Sequence, residues 1–237
     1  MRKIVYTIIG LFLFSLLLTG TSYAQYLEPI KASQLVGIGV KDVRGFFIGQ
    51  ISDVVINPSN NLVSSVILSD IPGMGDEHIA IPFNSLTRTG DSLFVYKPSD
   101  DFYLHYGEAP YAPFWAQGLS FYKRDRSMLE DGYRSSELLG ARVETPDGIN
   151  LARADDIVID TATGHVVYLV LDDVGGMTDR KVAVPFSDLS KKSEDLFVLR
   201  ETKDQILAAP AFGWDNMNDL AYASQIYRYY GLQPYWE

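Results

Sequence analysis

The 237-residue chain contains no cysteine. That excludes disulfides, thiolate nucleophiles, cysteine-ligated zinc, iron–sulfur clusters and lipidation at a lipoprotein cysteine. Histidine is nearly as scarce, with three residues, too few for a His-rich metal site. Positive charge is also short: 20 Lys and Arg stand against 30 Asp and Glu, a formal net charge of −10. Phosphate contacts need clustered cations, so this balance argues against a general nucleic-acid binder. Beyond Leu18 there is no apolar run long enough to span a bilayer. The rest of the composition is that of a globular protein, 47% hydrophobic and 21% charged, with aromatics high at 13% and 15 tyrosines. A chain disordered throughout is excluded.

Residues 1–24 read as a secretory signal. Arg2 and Lys3 supply the positive start, Ile4 to Leu18 is apolar and uncharged, and Ser22-Tyr23-Ala24 places small residues at the −3 and −1 positions before Gln25. The apolar run is short for a membrane anchor, which needs about 20 residues. The expectation is cleavage after Ala24 and a periplasmic protein. Loss of Arg2 and Lys3 would leave it more acidic still.

Laid on one another, Ser33–Val95 and Ser136–Val198 match without a gap. Leu35, Gly37, Val40 and Gly45 fall on Leu138, Gly140, Val143 and Gly148. Asp53, Val55 and Ile56 fall on Asp156, Val158 and Ile159. Asp70, Gly73, Met74 and Asp76 match Asp173, Gly176, Met177 and Asp179; Ala80, Pro82, Phe83 and Leu86 match Ala183, Pro185, Phe186 and Leu189. An ungapped match of that length is a duplication. Two copies are too few for a solenoid, so each is a compact unit.

Each copy reads as β. In the second, Asp156–Asp160 runs into the turn signal Thr161-Ala162-Thr163-Gly164 and then Val166–Leu171, rich in β-branched residues. Asn57–Asn61 is the same turn in the first copy. A Gly-containing loop, Asp173 to Asp179, leads to Lys181–Phe186, whose Pro185 marks a strand end or edge. Leu196–Leu199 closes the copy. Phe83, Phe186, Val55, Val158, Leu93 and Leu196 are the expected core residues. Short strands with frequent turns argue for a small barrel or sandwich.

The ordered pattern Ser-x-Leu-hydrophobic-Gly, Asp-hydrophobic-Val-Ile-Asp/Asn, Gly-rich loop and Val-Ala-Val-Pro-Phe-x-x-Leu resembles the PRC-barrel domain. The most recognisable stretches are Ile79–Phe83 and Val182–Phe186. That family is a small β-barrel found in the H subunit of the purple-bacterial photosynthetic reaction centre and in a ribosome maturation factor. The resemblance implies a binding or scaffold module and no catalysis. The second copy departs from the first where Ala152 and Ala154 replace Gly49 and Ile51. The expected fold is all-β: two tandem barrels over 25–100 and 135–201, an aromatic-rich linker over 101–134, and a helical aromatic tail over 202–237.

The linker carries Phe102, Tyr103, Tyr106, Tyr111, Phe114, Trp115, Phe121, Tyr122 and Tyr133. In the tail, Thr202 reads as the N-cap of a short helix stopped by Pro210. Leu220, Ala223, Ile226, Tyr227 and Tyr230 recur at helical spacing before Gly231. A helix so short is marginal alone, so its apolar stripe is expected to dock on the second barrel or on the linker near Trp115. Tyr and Trp are also common at interfaces, so Tyr229, Tyr230, Tyr235 and Trp236 double as candidate partner contacts.

Asp70 with Asp76, and Asp173 with Asp179 beside Asp172, put carboxylates around glycine turns, which could hold a hard cation. The spacing is not that of an EF-hand, and Asp and Gly are ordinary turn residues. His78, His105 and His165 lack metal-like spacing; His78 falls on Lys181 and His165 on Leu62. Gly37-x-Gly39 lacks the third glycine of a nucleotide fingerprint, and Lys123-Arg124-x-Arg126 is diluted by Asp125, Glu130 and Asp131. No catalytic, cofactor or metal residue is assigned. The function expected is a non-enzymatic envelope protein that binds a protein partner or assembles there. A cation- or ligand-binding envelope protein using the Asp-Gly loops, and an enzyme using the same loops, remain as alternatives.

Overall fold

The computed structural model describes residues 27–76, 78–90, 93–97, 120–121 and 132–237. The expected signal, most of the aromatic linker, His105 and the Lys123–Arg126 cluster lie outside them.

The first copy contains β1 (Pro29–Lys31), α1 (Ala32–Leu35), β2 (Gly39–Asp42), β3 (Phe47–Asn57), β4 (Leu62–Ser69), β5 (Ile79–Pro82), β6 (Leu86–Arg88) and β7 (Leu93–Tyr96). Strand β8 (Ser120–Phe121) follows in the linker. The second copy repeats the series as β9 (Tyr133–Arg134), α2 (Ser135–Leu138), β10 (Arg142–Glu144), β11 (Asn150–Asp160), β12 (Val166–Asp172), β13 (Val182–Val184), β14 (Leu189–Ser193) and β15 (Leu196–Leu199). The tail adds α3 (Lys203–Ala208) and α4 (Leu220–Tyr229).

One sheet runs β6-β7-β2-β3-β4-β5-β8 and the other β13-β12-β11-β10-β15-β14. The copies agree to the residue. Ile56 faces Val63 as Ile159 faces Val166, and register shifts recur between Ile51 and Asp53 and between Ala154 and Asp156. β2 lies parallel to β7, and β10 to β15. Pro82 ends β5, and Pro185 comes just after β13, where a missing N–H costs the ladder nothing. Tandem barrels of the family pattern and a helical tail are thus present.

Phe83, Phe186, Val55 and Val158 are buried as expected. Leu196 is not: it is only half-buried, whereas Phe197 and Leu199 are fully enclosed. Alternation along a strand allows only one of these sets to face inward, and the parallel pairing of β15 with β10 selects Phe197 and Leu199. The side chain of Leu93 lies outside the described residues; in the same strand Phe94 and Tyr96 are buried. The interior is shared. One continuous cluster joins Ile51, Val54, Phe83 and Phe94 of the first copy to Val143, Ile157, Phe186 and Phe197 of the second.

The shared core follows from an exchange of strands. β1, which precedes the first copy, pairs with β11 of the second; β9, which precedes the second, pairs with β3 of the first. Each exchanged segment ends on a buried carboxylate of the other copy. Ser33 donates through its N–H (3.1 Å) and its hydroxyl to Asp156. Ser136 donates through its N–H (3.1 Å) and Oγ (2.6 Å) to Asp53, and Ser135 Oγ adds a bond of 2.6 Å. Ser33 and Ser136 are equivalent in the repeat, as are Asp53 and Asp156, so the two halves are related by an approximate two-fold axis. That axis passes the bridge between the equivalent residues Leu62 and His165. On either side of it, Val63 N–H donates to the Gly164 carbonyl and Val166 N–H to the Asn61 carbonyl, both at 2.8 Å.

Two outcomes check this seam. Asp53→Ala strands the buried hydroxyl of Ser135, while the exposed Ser136 can turn to water; at about 1–3 kcal/mol for an orphaned buried group, a loss of about 2 kcal/mol in urea unfolding is expected. Gly164, at φ +79, lies where an added Cβ would sit 3.1 Å from the Phe83 ring, whereas Gly148, at φ +81, faces open space. Gly164→Ala and Gly148→Ala share the penalty of positive φ, about 1 kcal/mol or more. Gly164→Ala should be the more destabilising, and the excess reads the contact between copies.

Candidate functional site

The tail docks on the second barrel. Asp219 caps α4 by accepting from Ala221 N–H (2.8 Å) and Tyr222 N–H (3.1 Å), and Gly231 at φ +71 follows its end. Thr202 caps α3 through Gln205 N–H (3.3 Å). Ala223, Ile226, Tyr227 and Trp236 form one cluster with Val158, Val167, Tyr168, Val170 and Ala183 on the outer face of β11, β12 and β13. The choice of barrel is written in the repeat. Val167 and Tyr168 stand where the first copy has Ser64 and Ser65, so the second copy's outer face is the more apolar at these two positions. Tyr227 Oη donates to the Val167 carbonyl at 2.8 Å, and Trp236 Nε1 to Ser224 Oγ at 3.2 Å. Burial raises the phenols of Tyr168 and Tyr227 well above their ordinary value.

The tail also clamps the exchanged N-terminal segment. Leu27 belongs to its cluster, and Lys31 Nζ lies 3.4 Å from the centre of the Trp214 ring. Asp160 ties both to the turn before β12: it accepts from Glu28 N–H (3.1 Å), Thr163 Oγ1 (2.6 Å) and Tyr235 Oη (3.2 Å). The aromatic residues proposed as partner contacts are therefore mostly engaged internally. Trp236 is buried, Tyr235 stacks on His165 at 3.9 Å, and exposed Tyr229 donates to the Gln205 carbonyl at 2.6 Å.

His165 is a structural residue at the two-fold axis. Desolvation lowers its pKa, against an opposing pull from Asp160. His78 is half-buried at the start of β5. In the second copy Lys181 replaces it and bridges Asp155 (2.8 Å) and Asp172 (2.5 Å). A cation fixed to the protein thus already occupies the acidic edge of that Asp-Gly loop. Asp70, Asp173 and Asp179 themselves take positive φ, so these carboxylates mark turns. Among the described residues no group of three or more His, Asp or Glu is placed to hold a metal ion.

One feature is not visible in the repeat pattern. The β2–β3 turn of the first copy exposes Val43 by 62%, Phe46 by 57% and Phe47 by 38%. It is held rigidly. Asp42 N–H donates to the Phe46 carbonyl (2.8 Å), and the Asp42 carboxylate accepts from Arg44 N–H (2.9 Å), Phe46 N–H (3.0 Å) and the Arg44 guanidinium (2.9 and 2.5 Å). Burial works against the charge of Asp42, but these hydrogen bonds outweigh it and hold the carboxyl below its ordinary value. The Arg44 guanidinium also lies 5.4 Å from the centre of the Phe46 ring. The second copy builds the same turn with Thr145 in place of Asp42, and has Pro146, Ile149 and Asn150 where Val43, Phe46 and Phe47 stand. The signal available in the sequence was this divergence: two adjacent phenylalanines at a turn where the other copy has Ile149 and Asn150.

The geometry is that of a duplicated small-barrel module with its strands exchanged between copies. The PRC-barrel domain model matches residues 28–102 and 130–206, more than half of the chain, and the chain belongs to that family. Both matched ranges take in the exchanged strands β1 and β9. Comparison with curated proteins gives no match. Among the described residues no helix is long and apolar enough to cross a membrane.

Truncation checks the docking. Removing Asp215–Glu237 should lower the melting temperature and expose the Tyr168 face to a hydrophobic dye. Trp236→Ala should cost about 3 kcal/mol and Tyr227→Phe about 1 kcal/mol in urea unfolding. A truncated protein that melts unchanged would remove the tail from the fold.

Proposed function

We propose that the chain is an exported, non-enzymatic adaptor: a two-barrel mount whose Val43–Phe47 tip inserts into a protein partner. The observation that carries the reading is the tip itself, three large apolar side chains on a turn pinned by Asp42 and Arg44. Anchors of this kind, aromatic and held in one geometry before binding, dominate interface energetics. PRC-barrel domains are generally non-catalytic, in keeping with an adaptor. The signal-like segment ending at Ala24 supports export, and the absence of cysteine means that folding outside the cytoplasm would need no oxidative step.

The test is capture from envelope extract by the mature protein, by the Phe46→Ser/Phe47→Ser variant and by the tail-truncated form. The double variant should lose the captured protein with a melting temperature lowered only slightly, because both side chains are exposed in large part. Retention by the double variant and loss on truncation would move the partner site to the aromatic tail.

A further inference from the structure

Beneath the end of α4 the second barrel buries two carboxyl groups together. Asp188 closes the 3-10 turn Phe186–Asp188, and Glu201 follows β15. Arg200 N–H donates to the Asp188 carbonyl at 3.0 Å, which draws the two side chains into contact. Each residue is 8% exposed. Arg200 Nη1 reaches Asp188 Oδ1 at 3.2 Å, but the Arg200 side chain is 77% exposed, so its charge is largely spent on solvent. Glu201 Oε2 is buried with no hydrogen-bond partner, and so is the Tyr230 hydroxyl. A buried carboxylate oxygen without a donor is costly; a protonated carboxyl shared with its neighbour is not. In the first copy, where the tail does not dock, Ser85 and Pro98 occupy the equivalent positions.

We propose that the Asp188–Glu201 pair is a proton-operated latch on the tail: holding a shared proton it seats Tyr230 and the end of α4, and fully ionised it loosens α4 and uncovers the apolar face around Tyr168. The proposal is independent of the Val43–Phe47 tip.

Burial first, and the Asp188 charge second, push Glu201 up to about 7, against weaker pulls from its own backbone N–H and from Arg200. Tyr230, just after α4, faces it, its phenol raised by burial and by Glu201 itself; Tyr222 and Tyr229 face Tyr230 in turn, and burial pushes Tyr222 up to about 12. Those raised phenols stay neutral across pH 5–8. His165, stacked under Tyr235 in the same tail, has its pKa lowered, so its protonation opposes docking only at the acid end. For Glu201 the docked pKa lies above the ordinary 4.5. Its contribution is complete below that ordinary value and is lost as pH rises through about 7. By linkage, docking should weaken between pH 5 and pH 8 by about tenfold to seventyfold.

The experiment is amide hydrogen exchange on the full mature chain between pH 5.5 and 8, expressed as protection factors corrected for the intrinsic base-catalysed rate. Amides of α4 should lose about tenfold or more in protection, centred near neutrality, while those of β3 and β4 hold. Glu201→Gln should keep α4 protected throughout. Asp188→Asn, which removes the repelling charge, should move the midpoint to lower pH, and it carries the test alone if Glu201→Gln does not fold. A flat wild-type profile, an unchanged slope in Glu201→Gln, or equal loss in β3 and β4 would overturn the latch.

Discussion

The structure depends on a hydrogen-bonded carboxylate buried at the end of someone else's strand. Asp53 and Asp156 each receive a serine from the segment leading into the opposite copy. A buried charge of this kind is tolerable only when several donors converge on it. Those donors exist only if β1 and β9 have crossed over. The exchange therefore couples electrostatic satisfaction to topology: each aspartate receives one N–H from its own strand and its serine donors from the other copy's lead-in segment, and both sheets gain a strand in the process. The shared apolar core is a consequence, since the crossed segments carry Ile30 and Leu35 into the same cluster as Ile157 and Leu138.

Small barrels face a surface-to-volume problem that this arrangement relieves. A domain of this size buries a modest share of its surface, and no disulfide is available here. Fusing two cores across a two-fold seam enlarges the effective domain. The tail then covers the apolar outer face of Val167 and Tyr168. Lys31 over Trp214 and Asp160 beneath Tyr235 bind the tail, the entering strand and a hairpin turn into one unit.

The repeat, the strands β11, β12, β13 and β15, the Phe83 and Phe186 anchors and the α4 stripe were all legible from residues, because each is a local pattern; the short β10 and β14 were not. The phase of the last strand was not. Leu196-Phe197-Val198-Leu199 is apolar at every position, so alternation gives no direction until β15 is placed beside β10. The exchange was invisible for a different reason: Ser33 and Asp156 are equally compatible with bonds inside or between copies, and only chain geometry decides. Likewise, the contact of Asp188 with Glu201 joins two unremarkable surface-type residues that the β14–β15 pairing happens to press together. The exposed tip was present in the sequence as Phe46-Phe47, but local pattern does not tell phenylalanines exposed at a turn from phenylalanines buried in a strand.

Genetic fusion frees a symmetric assembly from symmetry. A dimer of identical barrels must show each surface twice, and a mutation useful on one subunit is imposed on the other. Here the two-fold seam keeps Ser33 with Ser136 and Asp53 with Asp156, while outer surfaces have drifted apart: one half keeps serines at positions 64 and 65 and phenylalanines at a turn, the other a tyrosine-bearing face and a buried acid pair. The molecule has a front and a back, and a partner gripping the front at Phe46 would meet one stoichiometric site per chain, at a fixed distance from whatever the tail covers or reveals behind it.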